Sequence, residues 1–152
     1  MRNTRELDRI DRAIIEHLVR DARLSNTELA GRVRLTPAPC LRRVKRLEQE
    51  GVISGYHAHI DPVAAGRAFE VTVSVEVVMN DQRSLEGFES ALATMPEIVE
   101  ARRVFGSPDY ILRVLVADVA AYERFQTTKL LVLPGISRTI SHQTMKLLKR
   151  GL

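Results

Sequence analysis

The sequence predicts an α+β fold: a small helical domain, then a larger domain in which strands and helices alternate. Two observations carry this. Apolar residues recur at helical spacing through the first fifty positions, then switch to strict alternation over Phe69–Val77. The length, 152 residues, suits one domain or two small ones. Chains of this size hide about two-thirds of their surface and need no covalent staples.

Leu7, Ile10, Ile14 and Leu18 mark the first helix, with Asp8 and Asp11 near the end where the helix dipole favours acids. Ser25-Asn26-Thr27-Glu28 has the form of a capping box, followed by the buried stripe Leu29, Ala30 and Val33. Thr36 then reads as an N-cap with Pro37 at the first helical position, and the third helix should run to about Glu50 and stop at Gly51. Only Arg34 and Leu35 separate the second stripe from the new cap, so the two helices should cross steeply as a helix-turn-helix. Val52 begins an extended segment ending near Pro62, read either as a wing or as a strand linking two domains.

The second half reads as β-α-β-β-α-β, the ferredoxin-like order. Phe69–Val77 alternates as a half-buried strand. Leu85, Phe88, Leu92 and Met95 give a helix closed by Pro96. Strands are expected over Ile98–Phe105 and Tyr110–Val116, around a Gly106-Ser107-Pro108-Asp109 turn. Tyr122, Phe125 and Leu130 mark a second helix stopped by Pro134-Gly135, and Ile136–Leu147 is expected as the last strand. Such a sheet packs helices on one face only. A second copy of the chain is the simplest cover for the other, so at least a homodimer is expected. The expected boundaries are 1–51 for the helical domain, 52–66 for a linker strand or hinge, and 67–152 for the sheet domain.

Charge narrows the function. Residues 1–60 carry twelve basic and eight acidic side chains, while residues 61–152 carry eleven of each. Arg32, Arg34, Arg42, Arg43, Lys45 and Arg46 fall in one acid-free stretch, as expected of a surface that meets a polyanion. At 100° per residue, Cys40, Val44 and Leu47 of the third helix face one way, and Ala38, Pro39, Arg42, Lys45, Arg46 and Gln49 the other. An outward cationic face on the second helix of a helix-turn-helix is what entry into the major groove of duplex DNA requires. Ala38 and Pro39 are small and permit close approach, with Thr36 beside them. Arg42 suits a guanine edge, and Arg43, Lys45 and Arg46 suit phosphates.

Other classes are disfavoured. One cysteine excludes a disulfide framework or multi-Cys zinc site, and Cys40 falls on an apolar stripe. The four histidines are scattered, and no nucleophile signature or Gly-rich phosphate loop is present, so no enzyme, cofactor or metal is expected. His57 and His59 share one face but lack further ligands. No apolar run reaches the roughly 18 residues of a membrane helix, and the N-terminus lacks a secretory apolar region, so a cytoplasmic protein without membrane partners is expected. Aromatic residues are 5% and Trp is absent, which argues against a single-strand stacking platform.

LDRIDRAIIEHL, DARLSNTELAGRV and LTPAPCLRRVKRLEQEGVISGY resemble the N-terminal domain of the Lrp/AsnC (feast/famine) regulators, and MPEIVEARRVFGSPDYILRVLV and LPGISRTISHQTMKLLK continue the resemblance. It covers nearly the whole chain in order and is nearest the leucine-responsive branch. It implies a winged helix-turn-helix transcription factor with a dimerising, ligand-sensing C-terminal domain, dimers that assemble further (commonly into octamers), and a free amino acid as effector. The family's Gly-x-x-Asp-Tyr effector loop reads here Gly106-Ser107-Pro108-Asp109-Tyr110, and the segment after Pro-Gly supplies Ser137 and Thr139. Asp109 could receive an ammonium, and the Gly106-Ser107 amides a carboxylate. Without the resemblance, the same turn reads as a hairpin with a local Asp bond. His142, Gln143 and Thr144 stand where leucine-responsive relatives carry Tyr and Val, a more polar set. The alternative function is an effector-independent, nucleoid-associated architectural DNA-binding protein.

Overall fold

The computed structural model describes residues 6–78 and 81–149. The chain divides into two compact units with the boundary after His59. The first holds α1 (Arg9–Arg20), α2 (Asn26–Arg32) and α3 (Pro37–Gln49). Asp8 caps α1, and its carboxylate accepts from the Asp11 amide at 2.8 Å. Ser25 caps α2 in a reciprocal box with Glu28. Ile14, Leu29, Ala30, Val33, Cys40 and Leu47 form the buried core. Between α2 and α3, Arg34 takes φ 56°, a left-handed conformation usually left to glycine. Gly51 follows α3 at φ 70°, as a C-terminal glycine should.

Beyond α3 the expectation of an extended segment from Val52 needs correction. Among the described residues no strand forms between α3 and the sheet. The amides of Val52 and Ile53 both donate to the Leu47 carbonyl, at 2.9 and 3.0 Å, and their side chains pack on the helical core. This chain folds back onto the end of α3 before it can ladder.

The second unit holds β1 (Phe69–Val77), α4 (Gln82–Thr94), β2 (Ile98–Arg103), β3 (Tyr110–Val116), α5 (Val119–Phe125) and β4 (Ile136–Gln143). The strands order as β2-β3-β1-β4, and every neighbouring pair is antiparallel. Val71, Val73 and Val75 of β1 and Tyr110, Leu112 and Val114 of β3 point to the helix side, where Phe88, Leu92, Tyr122, Phe125 and Leu130 cover them. The opposite face of β1 carries Glu70, Thr72, Ser74 and Glu76.

Three boundaries differ from the sequence expectation. β2 stops at Arg103 rather than Phe105, because the Val104 amide turns to the Asp109 carbonyl and closes the loop. The second helix is α5 followed by one π-helical turn, Gln126–Leu130. β4 stops at Gln143 rather than Leu147: its partner β1 begins at Phe69, and the last rung beyond the ladder is the Thr144 amide on the Glu70 carbonyl. No described helix is long and apolar enough to cross a membrane.

Candidate functional sites

The first candidate site is α3. Thr36, Ala38, Arg42 and Lys45 are exposed, Pro39 is half-buried, and neither Arg42 nor Lys45 has an ion-pair partner among the described residues. Thr36 occupies the N-cap position but makes no capping hydrogen bond. The side-chain amide of Asn26, in α2, donates to the Pro37 carbonyl at 2.8 Å and ties the start of α3 to α2.

Arg43 and Arg46 do not stand free as expected. Arg43 Nη1 donates to Asp8 Oδ2 at 2.6 Å and to Asp11 Oδ1 at 2.8 Å, and Arg46 Nη2 donates to Asp11 Oδ2 at 2.6 Å. The Asp11 side chain is only 3% exposed. A buried carboxylate needs partners, and two arginines three residues apart on the facing helix supply them. The capping bond from the Asp11 amide, and then Arg43, hold the Asp8 carboxyl below the usual aspartate range. Contacts with Asp8 and then Asp11 push the Arg43 guanidinium up. The helical projection set Arg46 outward because it counts angle and not reach, and it assigned no face to Arg43, which stands only about 60° from Cys40. A signal was present, since Asp11 interrupts the apolar stripe Leu7-Ile10-Ile14. Cys40 lies fully buried on α3, where burial pushes its thiol up, away from thiolate chemistry.

The second candidate site surrounds the loop between β2 and β3. Ser107 Oγ donates to Glu76 Oε1 at 3.0 Å, and Ser137 Oγ donates to the Glu76 carbonyl at 3.0 Å. Asp109 Oδ2 accepts from the Val77 amide at 2.8 Å, beside a break in the β1–β4 register at Glu76/Val77. The Asp109 bond is therefore cross-strand rather than the local one a simple hairpin predicts. Gly106 takes φ 111° with open space where a Cβ would sit. Gly106, Ser107, Asp109 and Ser137 thus gather around Glu76 and Val77, two residues that sequence reading did not single out. A bulge leaves no mark in the alternating pattern of β1.

Tyr110 and Thr139 lie apart from that group. Both pair with Val75 and so share its helix-facing side of the sheet. Tyr110 is 2% exposed, its ring 5.2 Å from Phe88, and its hydroxyl donates to Glu89 Oε1 at 2.9 Å. Burial, then Glu89, push its phenol up to about 12. The Tyr110 side chain therefore packs behind the loop. No group of three or more potential metal ligands occurs among the described residues.

Comparison with known proteins joins the two sites. Residues 7–54 match the winged helix-turn-helix DNA-binding model, and residues 70–151 match the Lrp/AsnC ligand binding domain. The chain is 40% identical over 147 residues to the leucine-responsive regulatory protein of Klebsiella pneumoniae, covering 97% of this chain and 90% of that one. A transcriptional regulator from Neisseria meningitidis, solved in complex with L-Met, superposes with a TM-score of 0.91 at 30% identity, over 95% of this chain and 94% of that one. The feast or famine regulatory protein of M. tuberculosis, complexed with L-methionine, superposes with a TM-score of 0.86 at 30% identity, over 95% and 96%. The chain belongs to the Lrp/AsnC family of transcriptional regulators, with a DNA-binding helical domain and a ligand-binding sheet domain.

Proposed function

We propose that this regulator reads duplex DNA in a sequence-specific way through the N-terminal half of α3, and that a free amino acid bound at the β2–β3 loop adjusts its assembly and DNA affinity. The observation that carries the DNA reading is the pair of exposed cations, Arg42 and Lys45, without ion-pair partners among the described residues, on a helix whose other two central cations are engaged. Arg42 contacts a guanine edge, Lys45 a phosphate, and Thr36, Ala38 and Pro39 line the close approach.

The effector reading rests on the group around Glu76. A zwitterion needs acceptors for its ammonium and amides for its carboxylate. Asp109 and Glu76 offer the first, and the open turn at Gly106-Ser107 offers the second, with Ser137 alongside. Tyr110 and Thr139 support the loop from behind. Two solved relatives hold methionine, so the effector class is a free amino acid. The polar side of the sheet is covered by a second copy, and dimers assemble further, toward octamers. A ligand shifts such an equilibrium only if it prefers one assembly.

A thermal-shift screen of the twenty amino acids, with sedimentation of any that stabilise, tests both halves of the effector claim. A hit that also changes the sedimenting species is expected. Uniform silence across all twenty would overturn it and favour an effector-independent architectural role.

A further inference from the structure

We propose that Asp11 is a positioning residue for DNA reading, holding Arg43 and Arg46 out of the phosphate contacts and fixing the rotation of α3. This rests on the DNA-reading role given to α3 above. Asp11 uses both oxygens: Oδ1 takes Arg43 and Oδ2 takes Arg46, at 2.8 and 2.6 Å. Asp8 adds a second acceptor to Arg43 at 2.6 Å, and Glu50 lies 3.9 Å from Arg46 Nε.

The two arginines are only 27% and 32% exposed, while Arg42 and Lys45 are exposed. Two carboxylates and two guanidiniums sum to no net charge. The stretch from Arg32 to Arg46 therefore presents four cations to a polyanion rather than the six it contains.

The arrangement has a geometric consequence. A guanidinium on each of two successive turns of α3, gripped by one carboxylate of α1, stops α3 rolling about its axis. Arg42 directly precedes Arg43 and Lys45 directly precedes Arg46, so the direction of both is set by that grip. A free Arg43 and Arg46 would add affinity for any duplex and let α3 settle in several rotations.

Salt dependence counts the phosphates engaged, because log K falls against log salt with a slope of about −0.9 per phosphate neutralised. The test uses the full-length protein on a random-sequence duplex, with salt titrations of the wild type, Lys45→Gln, Arg43→Gln and Asp11→Asn. Lys45→Gln should flatten the slope by about 0.9 for each engaged helix. Arg43→Gln should leave it unchanged, and since Arg46 still holds Asp11, this variant is expected to fold, which its melting temperature checks. Asp11→Asn should steepen the slope by up to about 0.9 per helix, since Asp8 still holds Arg43 while Arg46 is released, and should raise random-DNA affinity at low salt. A purely structural Asp11 would lower the melting temperature without steepening the slope.

Flattening by Arg43→Gln equal to that by Lys45→Gln would overturn the proposal. So would a folded Asp11→Asn protein with the wild-type slope. If Asp11→Asn does not fold, Arg43→Gln decides alone. A wild type that ignores duplex DNA at low salt would overturn the DNA reading and this proposal together, a pattern distinct from either variant's failure.

Discussion

The helical unit carries its proposed DNA face on one helix, with Arg42 and Lys45 one turn apart. The sheet unit gathers its proposed effector group across long stretches of chain: Ser107 reaches Glu76 over 31 positions and Ser137 over 61. A face on a helix depends on that helix forming and on its rotation. A group drawn from three segments depends on the register of the whole sheet. Substitutions on the DNA face should therefore change binding and spare stability, whereas substitutions in the effector group should touch both.

The largest effects should come from the two cores and should separate. Leu47, wholly buried in the helical core, becomes a cavity in Leu47→Ala at a cost of about 2–5 kcal/mol. Phe88, 2% exposed and packed on Tyr110, should cost about 3–5 kcal/mol as Phe88→Ala. Calorimetry at fixed protein concentration should show each substitution lowering its own transition. A single transition displaced alike by both would mean that the two units melt together, and would erase the contrast between them.

Arg42→Ala should cost about 1–3 kcal/mol of affinity on a duplex selected from a random pool, with the melting temperature unmoved. An equal loss on unselected DNA would reassign Arg42 to a phosphate.

Asp109 should behave in the opposite way. Asp109→Ala strands the Val77 amide, so the sheet unit should lose about 1–2 kcal/mol together with its response to the amino acid. Asp109→Asn keeps a carbonyl for that amide but removes the charge offered to an ammonium. It should hold its melting temperature and lose the ligand shift. A full ligand shift in Asp109→Asn would show that the charge takes no part in binding.

The same locality explains what the sequence made readable. The three helices, the Ser25 box and the Gly51 stop depend on residues within a few positions of one another, and each is where periodicity and capping rules put it. The β-α-β-β-α-β succession along the chain followed from alternation in β1 and from the Pro and Gly stops between later elements. What escaped depends on partners far along the chain. The Asp11 clamp joins residues 32 and 35 positions apart, and the end of β4 is set by where β1 begins. The place of Tyr110, behind the loop rather than in it, follows from its pairing with Val75.

The smallest predicted effect tests that locality on a single turn of helix. Ser25 and Thr36 both stand at N-caps and look equivalent in sequence. Ser25 Oγ accepts from the Glu28 amide at 3.2 Å, and Glu28 returns a bond to the Ser25 amide at 2.8 Å. Thr36 makes no such bond. Pro37 and Pro39 remove two of the three amides its hydroxyl could reach, leaving Ala38 alone. Ser25→Ala should therefore cost about 1 kcal/mol of stability, and Thr36→Ala only a few tenths. The uncommitted Thr36 hydroxyl is free for a phosphate, so Thr36→Ala should weaken DNA binding while urea denaturation barely registers the change. Equal denaturation costs for the two alanines would mean that Thr36 caps α3 after all, and would remove it from the DNA face.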